Sequence, residues 1–165
     1  MEAGWGSVPR ISSSMIEPRA RDLTVPVVDA SVVVDWVAPG VAPDAPALAA
    51  LARLASTEAE LLAPRLLLEE VSNALLTGVR RGRWDGAQAD AGHTLLLELP
   101  VRLIDEPRDL RRAWDLARRY DNHPIYDLLY VALAERRRTR LITADAALRR
   151  RLGTTDLLIA PEEIT

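Results

Sequence analysis

A chain of 165 residues, 48% hydrophobic and with a formal net charge of −3, can bury one sizeable core and is most simply a single domain. It has no Cys, which excludes disulfide scaffolds, thiol catalysis and zinc–cysteine sites. All 21 basic residues are Arg, so a P-loop, a Schiff base and a receiver-type acidic pocket, each of which needs Lys, are excluded as well.

Residues 1–23 are rich in Ser, Gly, Pro and charge and carry no sustained periodicity, which predicts a mobile N-terminal extension with Met15 as an alternative start. The β-branched run from Val25 predicts a strand to Asp29, then a short helix ending at Pro39. A Pro-rich loop to Pro46 leads into an Ala/Leu helix to about Ser56, and an apolar strand is expected at Glu60 to Leu62. Pro64 then opens a helix whose apolar stripe runs through Leu68, Val71, Leu75 and Val79, with Gly78 and Gly82 loosening its end. Trp84 to Leu97 predicts a further helix, followed by a strand at Val101 to Ile104. Helices are expected from Pro107 to Tyr120 and from Ile125 to Arg138. A strand at Arg140 to Thr143, a helix to about Arg151 and a last apolar run from Leu157 to Ala160 complete the alternation. The pattern specifies an α/β fold, a three-layer α/β/α sandwich with a mostly parallel central sheet. No apolar stretch is long enough to cross a bilayer and no signal peptide opens the chain, so a soluble cytoplasmic protein without membrane association is expected.

Four carboxylates stand out against this layout. Asp29 and Asp145 lie just past β-branched segments, where parallel sheets bind ligands. Glu70 borders an apolar helical stripe, and Asp127 shares a nearly all-apolar helix with Tyr130, Val131 and Ala134. Each has a structural reading: Asp29 as a helix N-cap, Asp145 as a first-turn acid behind a Thr143 cap, Glu70 as a boundary residue, and Asp127 as an early-helix acid that complements the dipole. Those readings do not explain why all four occupy corresponding places in one alternation. Two carboxylates about 4 Å apart repel by roughly 4 kcal/mol at an effective dielectric near 20, so converging acids call for a cation. Oxygen donors with no Cys and no His pair suit a hard ion, Mg²⁺ or Mn²⁺. Dinucleotide binding lacks its glycine fingerprint, and a dehalogenase-like phosphatase would want Asp at position 31, which is Ser.

The stretches Val27-Val28-Asp29-Ala30-Ser31-Val32-Val33-Val34, Glu70-Val71-Ser72-Asn73-Ala74-Leu75, Tyr126-Asp127-Leu128-Leu129-Tyr130 to Ala134, and Leu141-Ile142-Thr143-Ala144-Asp145 resemble successive motifs of PIN-domain nucleases. They are most similar to the VapC-type toxins of type II toxin–antitoxin systems. The resemblance covers about residues 25–160 and implies a PIN-like nuclease domain over 24–165. It implies a metal-dependent endoribonuclease in which Asp29, Glu70, Asp127 and Asp145 are catalytic and hold one or two Mg²⁺ or Mn²⁺ ions. It also implies that Ser31 and Thr143 orient those acids, that a cognate VapB-like antitoxin covers the pocket, and that the chain forms a homodimer; Asn73 either orients the acids from the Glu70 helix or, at ~160° from Val71, faces solvent. The alternatives are a PIN nuclease of RNA processing and a non-catalytic PIN-like binding module. The sequence departs from the pattern at Asp35, where many relatives carry Lys, and at His123-Pro124, where small polar residues are more usual.

Arg clusters at 80–83, 118–119, 136–140 and 149–151 suit phosphate contact, yet most of them end predicted helices, where cations complement the dipole. The net charge excludes a broadly basic surface, so a local basic rim around an acidic centre is expected, its members unassigned. His123 reads as an exposed loop residue, Trp36 and Trp114 as packing residues, and Trp84 as a helix start or subunit contact.

Overall fold

The computed structural model describes residues 23–153 and 156–164. The expected extension, apart from Leu23, and the Met15 start lie outside the described residues. Five parallel strands, β1 (Val27–Val28), β2 (Leu61–Pro64), β3 (Val101–Ile104), β4 (Leu141–Ile142) and β5 (Leu158–Ile159), form one sheet in the order β3-β2-β1-β4-β5. The central strands β1 and β4 are covered on both faces, with Val27, Val28, Leu141 and Ile142 all fully buried. The helices are α1 (Ala30–Val37), α2 (Pro46–Ser56), α3 (Leu67–Arg80), α4 (Gly86–Glu98), α5 (Pro107–Arg119), α6 (Ile125–Arg137) and α7 (Ala146–Leu152), with a final 3₁₀ turn at Pro161–Glu163. None is long and apolar enough to cross a membrane.

The strand order has a direct consequence for function. The chain leaves β1 toward β2 and β3 on one side, then returns to place β4 on the other, with Val27 and Val28 in register with Leu141 and Ile142. The crevice beyond the carboxyl ends of β1 and β4 is therefore the topological switch point, where open α/β sheets bind ligands.

Several boundaries differ from the sequence expectation. Pro64 closes β2, paired with Ile104, instead of opening a helix, because its missing N–H costs nothing at a strand end where Arg65 supplies the next ladder bond to Ile104. The buried face of α3 is Leu67, Val71, Leu75 and Gly78, a turn-by-turn stripe displaced from Leu68 and Val79, which are half-buried. Trp84 does not start α4; Asp85 caps it, exchanging bonds with Gln88 in a capping box. The Trp84 indole instead lies over Gly78, where an added Cβ would fall 1.9 Å from Cζ2, and its Nε1–H donates to the Leu75 carbonyl at 2.9 Å. Gly78 thus clamps α3 to the start of α4.

Helix α6 is apolar nearly all round because it is central, with Leu128, Tyr130, Leu133 and Ala134 fully buried. Two forked pairs tie it to α5: Arg136 to Asp109 at 2.5 and 2.7 Å, and Arg112 to Glu135 at 2.6 and 3.0 Å. With Asp109 only 7% exposed, the first pair sets the register of the hairpin.

The Gly78–Trp84 contact makes a direct prediction. Gly78→Ala should cost about 1–3 kcal/mol in denaturant unfolding, and most of that cost should vanish in a Trp84→Ala background, where the space is free. Additive losses would show that the two residues do not share this contact.

Candidate functional site

The deepest acid is Asp29, 6% exposed at the end of β1. It occupies the backbone N-cap position of α1, but its side chain does not cap the helix. Its Oδ2 instead accepts from Ser31 Oγ at 2.6 Å and from the fully buried Thr143 Oγ1 at 2.7 Å. Each hydroxyl in turn accepts a backbone N–H from the loop after β4: Ala144 to Ser31 Oγ at 3.0 Å, and Asp145 to Thr143 Oγ1 at 3.1 Å. A hydroxyl has one proton. Both protons are spent on Asp29, so the 3.4 Å approach of the two hydroxyls is a contact and not a bond. This stitch joins the two strand ends of the switch point around one carboxylate.

Glu70 enters from α3, half-buried, and its Oε2 accepts from Tyr130 Oη at 2.6 Å. Tyr130 is fully buried, and burial beside the Glu70 charge pushes its phenol far above the usual range, so it stays a protonated donor. Asp127 lies in the first turn of α6, its side chain 33% exposed, with Oδ2 at 3.0 Å from His123 Nε2. An ionised carboxylate only accepts, so Nε2 carries the proton in this pair.

The Asp127 charge reaches Asp29, and the charges of both reach Glu70. Burial raises the Asp29 carboxyl above its ordinary range, the Ser31 and Thr143 bonds oppose that rise, and the Asp127 charge adds to it. Burial likewise raises Glu70, against the Tyr130 bond and reinforced by the charges of Asp29 and Asp127. Burial alone raises Asp35 on α1.

Asp145 stands differently. It is the N-cap of α7, its Oδ1 accepting from Ala147 N at 2.7 Å and Leu148 N at 2.9 Å, so the expected Thr143 cap with Asp145 in the first turn is replaced by Asp145 itself. Thr143 serves Asp29. Asp145 connects to the cluster through its backbone N–H, which donates to Thr143 Oγ1. Asn73 is exposed on α3, and among the described residues no hydrogen bond joins it to the acids. The structure therefore brings together three of the four acids with Ser31 and Thr143, sets Asp145 at the border and leaves Asn73 outside.

Two residues at the site were undervalued in the sequence. His123, expected to be exposed, has a side chain only 14% exposed and touches Asp127; Tyr130, read as a face neighbour, holds Glu70. The spacing of His123, four residues before Asp127, carried a signal; the reach of Tyr130 to Glu70 spans 60 residues and left none.

The side-chain donors reach one oxygen of each acid, Oδ2 of Asp29, Oε2 of Glu70 and Oδ2 of Asp127; Asp29 also takes a backbone bond from Ala30, and Asp145 takes two backbone N–H groups on Oδ1. Among the described residues no three His, Asp or Glu side chains already form a metal-holding cluster. The donor set nonetheless fits a hard divalent cation: oxygen ligands only, mutually repelling, each with a second oxygen not used by the side-chain donors. Asp29, Glu70 and Asp127 would hold it directly, and Asp145 from the border.

A family model described as PIN domain matches residues 27–153. No curated protein matches the chain.

The raised Asp29 carboxyl has a signed consequence. An acid whose folded-state pKa is raised stabilises the fold fully below its unfolded value, roughly 3.9; that stability is lost as pH climbs through the folded value. In EDTA, Asp29→Asn should be more stable than the parent chain at pH 7 by on the order of 1 kcal/mol, and the advantage should disappear below about pH 4. Chemical denaturation across that pH range measures both; a variant less stable at pH 7 and equally so in acid would contradict the burial argument.

Proposed function

The chain belongs to the PIN-domain family, and from that footing we propose that it is a divalent-metal-dependent endoribonuclease, a VapC-like toxin that a cognate VapB-like antitoxin neutralises. The observation that carries this reading is the meeting of Asp29, Glu70 and Asp127: Asp29 and Glu70 are raised by burial with the Asp127 charge adding to both, and each of the three has a side-chain donor on one oxygen. A stability role would not assemble such a set. Buried like charges cost free energy, and a fold that needed only a cap or a boundary residue would space them apart.

Asp29, Glu70 and Asp127 would hold Mg²⁺ or Mn²⁺, which when bound would supply a water of lowered pKa and positive charge for phosphodiester hydrolysis. The chain's own residues do the rest. Ser31 and Thr143 hold the Asp29 carboxylate fixed. Tyr130 keeps Glu70 Oε2 occupied, so a proton taken from the attacking water goes to Oε1, and the raised affinity of Glu70 for protons suits that acceptance. His123 holds Asp127 through Oδ2, which fixes the carboxylate and leaves Oδ1 outside that bond. In-line attack would leave a 5′-phosphate and a 3′-hydroxyl. Antitoxin inhibition would place an Arg among the same acids as a surrogate for the metal charge, and homodimerisation is part of the same proposal.

Purified chain should cleave RNA with Mn²⁺ or Mg²⁺ and stop in EDTA. Asp29→Ala and Asp127→Ala should abolish cleavage while keeping the far-UV circular dichroism of the parent; undiminished cleavage by either would sink the reading. Tyr130→Phe and His123→Ala act through Glu70 and Asp127, so each should weaken metal affinity or activity about 10–100-fold. The metal concentration for half-maximal cleavage should rise in both. A purely structural role would lower the yield of folded protein and leave that concentration unchanged.

A further inference from the structure

The turn between α5 and α6 joins the acid cleft to an exposed surface that the catalytic reading does not use. Tyr126 is 57% exposed and directly precedes Asp127. On α5, Leu110, Trp114 and Arg118 follow at four-residue spacing and form one exposed ridge; Trp114 is 61% exposed, which corrects its reading as a packing residue. Arg118 and Arg119 are exposed at the end of α5, and Arg118 Nη1 donates to Asn122 Oδ1 at 2.6 Å. Asn122 precedes His123, which bonds Asp127. Asp121 and Asn122 both adopt left-handed backbone, φ 57° and 56°, and bend the chain sharply so that the end of α5 and the start of α6 lie together.

We propose that Trp114, Arg118, Arg119 and Tyr126 form a nucleic-acid track leading into the cleft, with a base of the substrate stacked on Tyr126 next to the scissile phosphate and a more distant base on Trp114. The proposal rests on the ribonuclease reading above and names residues of its substrate path. Large exposed aromatic faces alternating with Arg are what an unpaired strand uses: rings stack on the bases, and guanidinium groups meet phosphates bidentately. Asp115 and the exposed Asp121 of the turn also lie here, but Arg111, Arg118 and Arg119 outnumber them three to two, so the surface is net positive in a chain that is net negative. That local sign selects a polyanion over an apolar protein partner. It also supplies members for the basic rim that the sequence left unassigned.

The test uses the full chain, EDTA to prevent turnover, a short labelled single-stranded oligoribonucleotide and the same strand annealed to its complement. The single strand should bind more tightly than the duplex and should quench Trp fluorescence, with the quenching reduced in Trp114→Ala. Tyr126→Ala should weaken single-strand binding about tenfold or more, and Tyr126→Phe should leave it nearly intact, because stacking needs the ring and not the hydroxyl. Arg118→Gln should lower the slope of log affinity against log salt by about 0.7. Unchanged affinity in Tyr126→Ala, absence of single-strand binding by the parent chain, or loss of self-association in Tyr126→Ala with RNA affinity retained would each overturn the track. Cleavage with Mn²⁺ is scored separately. A parent chain that binds through Tyr126 and does not cleave fails the nuclease reading alone; one that cleaves with KM unchanged in Tyr126→Ala fails the track alone.

Discussion

Everything at the switch point is arranged around the cost of keeping Asp29 in a nearly dry place. A carboxylate there loses several kcal/mol of hydration. Two hydroxyl donors at 2.6 and 2.7 Å return about 1.5–3 kcal/mol each, and the nearby Asp127 charge works against them. The balance stays unfavourable, which is why the carboxyl is raised in spite of good hydrogen bonds. A positive charge at the carboxylate would reverse that balance, so the fold holds Asp29 in a form whose stability depends on what binds there.

The supporting residues are matched to that demand. Ser31, Thr143 and Tyr130 are neutral donors, and each contributes one proton to one carboxylate oxygen. A Lys or Arg in those places would neutralise the acids permanently and fill the cleft. The hydroxyls also take backbone N–H groups from the loop after β4, so the geometry of Asp29 is built into the pairing of β1 with β4 and not into a mobile side chain. The forked Arg136–Asp109 and Arg112–Glu135 pairs fix α6 against α5, and α6 carries Asp127 together with Tyr130. Precision at the acids thus traces to pairs set back from them along the same helices.

Most of the architecture was legible in the sequence, because buried parallel strands read as β-branched runs and central helices as continuous apolar ones. The run Val25 to Asp29 and the segment Leu141 to Thr143 identified the two strands of the switch point, and the periodicity of Ile125 to Ala134 identified α6. Partner choice was less legible. Whether Thr143 caps a helix or serves Asp29 depends on a contact 114 residues away in sequence, and Tyr130 reaches Glu70 across 60. Local rules see only near neighbours, so they assigned Thr143 to the adjacent helix; His123 is different, since its partner Asp127 lies four residues on and the spacing alone pointed to the pair. Trp114 failed for a related reason: its spacing on α5 matches an apolar face, but the neighbouring Ala113, Leu116 and Ala117 take the core. Trp84 could not be placed without knowing that Gly78 makes room for an indole.

If Asp29, Glu70 and Asp127 jointly hold a divalent cation, anomalous diffraction from crystals soaked in Mn²⁺ should detect it without reference to activity. A peak is expected within bonding distance of Asp29, Glu70 and Asp127 and should be lost in Asp29→Asn. A peak confined to other carboxylates, or none at these acids under saturating Mn²⁺, would contradict joint binding.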